Sequence, residues 1–89
     1  SQTSDASARL SAMGIDIERL DSVVNFVPQL LVLTYLAHIG DVELLDFVIG
    51  RGVDVNSVLH EGAHAGWTAL HAAAENGHSN VVARLLEAR

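Results

Sequence analysis

GWTALHAAAENGHSNVVARLLEAR, Gly66 to Arg89, is the stretch whose reading decides the fold. Thr68 offers an N-cap hydroxyl ahead of Ala69-Leu70-His71-Ala72-Ala73-Ala74, a run of strong helix formers. Asn76-Gly77 ends that helix, because glycine enters the left-handed conformation at little cost. A second helix follows, with Val81, Val82, Leu85 and Leu86 along one face. Two short helices joined by a tight glycine turn make a hairpin whose apolar face cannot be buried by the hairpin alone.

The pattern recurs upstream. At a separation of 37 positions Leu70 falls on Leu33, Ala74 on Ala37 and Gly77 on Gly40. Val81, Val82, Leu85 and Leu86 fall on Leu44, Leu45, Val48 and Ile49. A fainter copy stands at the start, where Gly14-Ile15-Asp16-Ile17 echoes Gly52-Val53-Asp54-Val55 and Ala8-Arg9-Leu10 echoes Ala83-Arg84-Leu85.

TALHAAAENGH at 68–78 resembles the T-P-L-H-x-A signature of the ankyrin repeat, whose units run to about 33 residues. GVDVN at 52–56 resembles the turn that closes such a unit and leads into a β-hairpin finger. The resemblance is full over 66–89, fair over 29–56 and reduced to a remnant at 4–17. Ala69 stands where the family has proline, Leu31 and Thr34 replace the signature Thr and His in the first unit, and the finger is longer than usual. The resemblance implies an all-α, ankyrin-like solenoid of stacked helix-turn-helix repeats with an N-terminal capping helix. The divisions are 1–27, a helical cap or degenerate repeat; 28–56, a repeat; 57–65, an extended finger loop; and 66–89, a repeat lacking its closing turn.

Composition sets the outer limits. The 89 residues make one small domain, and the 49% apolar content is ample for a core. There is no cysteine, so disulfides and thiolate metal sites are excluded. The formal charge is −6, and all five basic residues are arginines. That balance argues against nucleic acid, whose phosphates need a positive footprint. Ser1 to Ser7 has no signal-peptide architecture and reads as a fragment boundary or a tag scar. The apolar window Phe26 to Ile39 is interrupted by Pro28, Gln29, Tyr35 and His38 and is too short to span a membrane. The location is open, with an intracellular one fitting these absences.

Along the chain, residues 5–13 read as a helix ending at Gly14. Ile17, Leu20, Val23 and Val24 lie at helical spacing, which predicts a helix over 16–26, although a regular ankyrin unit would put finger and turn there. Pro28 is placed at the start of a helix 28–38, where its missing N–H costs nothing. Asp41 or Val42 opens an outer helix 42–50, with Asp41 and Glu43 at its positive end.

The finger holds a rival reading. His60-Glu61-Gly62-Ala63-His64 fits H-E-x-x-H, in which a helix sets two imidazoles one turn apart on zinc and the Glu activates a water. Gly62 and Gly66 weaken any helix here, and a third ligand would have to be His71, Glu75 or Glu87. No metal, cofactor or catalytic role is therefore assigned. His71 is assigned to hydrogen bonds with Thr68 and nearby backbone, His78 to the turn after Gly77, and His38 to an outward position.

What the resemblance implies for function is protein binding through finger tips and inner helices. Carried over by position, the contact residues are Leu30, His38, Ile39 and Asp41 in the first unit, and Trp67, Ala69, Glu75, Asn76 and His78 in the second. His60 and Glu61 join them on the finger. Trp67 either serves as an exposed anchor or packs on Val58 or Leu59. The acidic balance favours a neutral or basic partner. The sequence stops at Arg89, leaving Val82, Leu85 and Leu86 to be covered by further repeats or by another chain, including a second copy. A purely structural or oligomerising solenoid segment is the alternative function, and a zinc hydrolase using His60, Glu61 and His64 the remote one.

Overall fold

The computed structural model describes residues 2–62 and 65–89. The chain runs α1 (Gln2–Ala12), a 3-10 turn (Ile17–Arg19), β1 (Val23–Val24), β2 (Val27–Leu31), α2 (Val32–Ile39), α3 (Val42–Gly50), α4 (Ala69–Glu75) and α5 (Ser79–Ala88). Among the described residues it is mainly helical, with one two-stranded antiparallel hairpin that the all-α expectation lacks.

That hairpin replaces the helix expected over 16–26. Asp16 accepts a hydrogen bond from the Glu18 N–H at 2.9 Å and so caps the start of a single 3-10 turn, which stops at Arg19. Val23, Val24 and Val27 are β-branched and suit an extended backbone. Pro28 pushes Val27 the same way by steric clash, so the proline sits inside β2 and opens no helix. Val23 pairs with Leu31 and Val24 with Val27, with a register irregularity between them. The first inner helix therefore begins at Val32, not Pro28. Val32 remains tied to the hairpin by donating its N–H to the Ser22 carbonyl at 3.2 Å.

The remaining elements follow their local signals. α2 ends at Gly40, whose φ of 80° is open to glycine, and both Gly40 and Asp41 donate N–H groups to the Leu36 carbonyl, at 3.0 and 3.1 Å. The Asp41 carboxylate then accepts from the Leu44 N–H at 3.1 Å and starts α3. Thr68 and His71 form a reciprocal capping box at the head of α4.

α2 packs on α4, α3 on α5, and α1 on α3. Leu36, Ala37, Leu44, Leu45, Val48, Ala73, Val81 and Leu85 are sealed between these helices, and Leu10 of α1 joins the same cluster. Alanines at 69, 72 and 73 are all buried, which lets α4 lie close against α2. Leu85, expected to be left wet, is 1% exposed because it turns into its own helix pair. Leu86 is the residue left outside, at 52%, with Val82 half-buried beside it.

Candidate functional site

His38 and Ile39 end α2, and Glu75 and Asn76 occupy the matching positions at the end of α4. All four are exposed. Asn76 donates from Nδ2 to the Ala72 carbonyl at 2.8 Å and also meets His38 Nδ1 at 3.0 Å. The first bond fixes which end of the amide is nitrogen, so His38 Nδ1 acts as an acceptor. His78 Nε2 donates to the His38 carbonyl at 2.9 Å. Its ring lies over Gly40, so close that a Cβ there would stand 2.7 Å from it. His38, Asn76 and His78 are thus struts joining the two helix pairs as well as surface groups.

The fingers lie side by side. Leu59 donates its N–H to the Trp67 carbonyl at 3.4 Å, and Gly66 donates back to Leu59 at 2.7 Å, closing the long finger at its base. Gly62 rests against Gln29 of β2, 3.6 Å from where its Cβ would be. His60 and Glu61 are exposed near this tip. Gly62 has φ +88°, which an α-helix cannot contain, so the described part of H-E-x-x-H lacks the helix that zinc binding by this pattern requires. His64 lies outside the described residues. Among the described residues no group of three or more His, Cys, Asp or Glu converges as a metal would need.

Three expected contacts are placed differently. Leu30 is 4% exposed and Ala69 1%, so neither offers a side chain to a partner. Leu30 is buried near the end of β2 where the strand runs into α2, although Pro28 on the same strand face is exposed. Ala69 is the first residue of α4 and is covered by the neighbouring pair. Asp41 is spent on capping α3 and on an ion pair with Arg9, which also reaches Glu43 at 3.2 Å. Trp67 is half-buried, packed on the core and tilted over the His71 ring at 6.0 Å between centroids. His71 is exposed, and its Nδ1 accepts from the Thr68 N–H at 3.1 Å, the role its position predicted.

Sequence reasoning passed over Phe26 and Tyr35. Their rings meet edge to face with centroids 5.1 Å apart, and Phe26 is half exposed. The run of β-branched residues before Val27-Pro28 was the available signal, since it marks a hairpin with Phe26 at its turn. On the opposite flank an open groove between α1 and α3 is lined by Asp5, Arg9, Glu43 and Asp46. Its Arg9 pairs with Glu43, and Asp46 pairs with Arg84 at 2.5 Å.

With helix pairs, glycine turns and fingers in place, a family model of ankyrin repeats in three copies matches residues 25–89. The chain belongs to the ankyrin-repeat family. No curated protein and no solved structure matches it. Ankyrin repeats are generally protein-interaction modules and generally non-catalytic. No helix among the described residues is long and apolar enough to cross a membrane.

Proposed function

We propose that this chain is a non-catalytic protein-interaction module that grips a partner through its finger tips and the exposed ends of its inner helices. The units are 28–56 and 66–89, with 57–65 as a finger and 1–27 as the cap that shields the first unit. The observation that carries this reading is the adjoining of the two fingers above α2 and α4, with Gly62 against Gln29 and Asn76 bonded to His38. The binding surface in this reading comprises His38, Ile39, His60, Glu61, Glu75 and Asn76, all exposed, with the half-buried Trp67 at its edge. Such surfaces bind other proteins because a rigid repeat scaffold presents many small contacts with little loss of freedom.

The test is co-purification of partners with the wild-type chain and with a Trp67→Ala, Glu75→Ala double variant whose circular dichroism is unchanged. Loss of a partner supports the reading. Retention of every partner favours the second one, a structural or oligomerising segment. That second reading is supported by the half-exposed Leu86, one helical turn after the half-buried Val82 on α5. Sedimentation velocity at micromolar concentration separates it, since self-association through that face would disappear in Leu86→Glu.

A further inference from the structure

Four large apolar side chains are conspicuously exposed among the described residues: Val23, Phe26, Ile39 and Leu86. Three of them belong to the first finger and the helix that follows it. Phe26 at 50% exposure sits edge to face on Tyr35, and Tyr35 shares a helix face with Ile39, one turn later, at 40%. The three form an apolar step beside His38, whose ring is held in place by Asn76.

The permanent charge on the segments that build this step has one sign. Neither the segment 20–50 nor the segment 52–83 contains a lysine or arginine, so both fingers and both inner helices carry only carboxylates as permanent charges. Glu75 follows His38 on the neighbouring helix by repeat position, and Glu61 stands on the second finger. Arg9 and Arg84 are held by Asp41, Glu43 and Asp46 on the outer helices. Arg19 lines a hollow with Gly14, Ser22 and Val23, and the Phe26 ring borders that hollow, 4.0 Å from where a Gly14 Cβ would stand, so Arg19 is a cation on the hairpin side of the step, away from Glu75 and Glu61 in sequence.

We propose that Phe26, Tyr35 and Ile39 form an anchoring subsite for a basic partner segment, which seats an aliphatic side chain on the step and sets arginine or lysine against Glu75, Glu61 and the aromatic rings. The subsite rests on the interaction reading given above and specifies its partner chemistry. An apolar anchor supplies the energy, because desolvating a pocketed side chain at the centre of a contact dominates binding. The flanking cation supplies selection, through attraction to the acidic surface and to the ring faces. A second copy of this chain is a poor occupant, since the formal charge of −6 repels its own kind.

The test uses three fluorescein-labelled twelve-residue peptides, alternating leucine/arginine, leucine/glutamate and serine/arginine, titrated with the full chain while anisotropy is read. The leucine/arginine peptide is expected to saturate, to weaken at least tenfold in Phe26→Ser and in Ile39→Ser, and several-fold in Glu75→Gln and in raised salt. The other two peptides are expected not to saturate. Equal binding of the leucine/glutamate peptide, full binding by both step variants, or no saturation below millimolar overturns the proposal. So does a dimer that Phe26→Ser abolishes, because the step would then be a self-contact. If a natural partner is lost in the Trp67/Glu75 double variant but kept in Phe26→Ser, the interaction reading stands and this subsite falls.

Discussion

The two helix pairs of this protein are nearly the same object in different surroundings. Position by position, 37 residues apart, Leu44 and Val81 are both buried, as are Val48 and Leu85, and Leu36 and Ala73. Elsewhere the match breaks. Ala37 is sealed while Ala74 is exposed, Thr34 is sealed while His71 is exposed, and Leu45 is sealed while Val82 is half-buried. The broken positions share one face, the face that the first pair turns towards α4 and α5 and that the second pair turns outward. A repeat's own pattern chooses which side chains face inward across the pair. Whether the remaining face is dry depends on a neighbour.

The largest expected difference lies at Leu45 and Val82. Leu45→Ala is expected to cost about 2–5 kcal/mol in urea unfolding, because a fully buried leucine leaves a cavity. Val82→Ala is expected to cost about 1 kcal/mol or less at its half-wet site. Equal costs would break the comparison and mean that the outer face is covered in solution.

Gly40 and Gly77 sharpen it further. Both take positive φ, 80° and 71°. A Cβ at Gly77 meets nothing within 4 Å, whereas one at Gly40 strikes the His78 ring at 2.7 Å. Gly77→Ala is expected to cost about 1–2 kcal/mol from backbone strain alone. Gly40→Ala should cost more, and the excess should shrink when His78→Ala is added; a double-mutant cycle measures it.

A smaller effect separates the two helix starts. Thr68→Ala removes the capping box of α4 and is expected to cost about 1 kcal/mol by thermal unfolding. The counterpart Leu31 makes no side-chain cap, so Leu31→Ala reports only packing. Smallest is Asp46→Asn, which frees Arg84. With Asp46 mostly exposed, the change is expected to stay below about 0.5 kcal/mol and to vanish in high salt.

Much of this was legible in advance. Thr68, Gly40, Gly77 and Asp41 announced where helices start and stop, because caps and turns are settled by the nearest few residues. The hairpin at 23–31 was not, since Ile17, Leu20, Val23 and Val24 fit a helical face as well as Val23 and Val24 fit a strand. Pro28 broke the tie through short-range geometry whose outcome depended on Val32 finding the Ser22 carbonyl. The Phe26–Tyr35 pair and the burial of Leu30 follow from that hairpin and were hidden with it. The strut from Asn76 to His38 was hidden for another reason: it joins two units, and each half looks like an ordinary surface residue.

By itself, then, the sequence determined the repeat: its helix boundaries in the second unit, its turn glycines, its capping hydroxyl and the face each helix buries. These are local decisions, made by backbone conformation and side-chain spacing within a few residues. Only the tertiary structure decided which copies of the same position are dry, which polar side chains bridge the two units, and that Phe26 reaches Tyr35. Those outcomes require segments distant along the chain to meet, and the free energy of meeting belongs to the pair and to neither sequence alone.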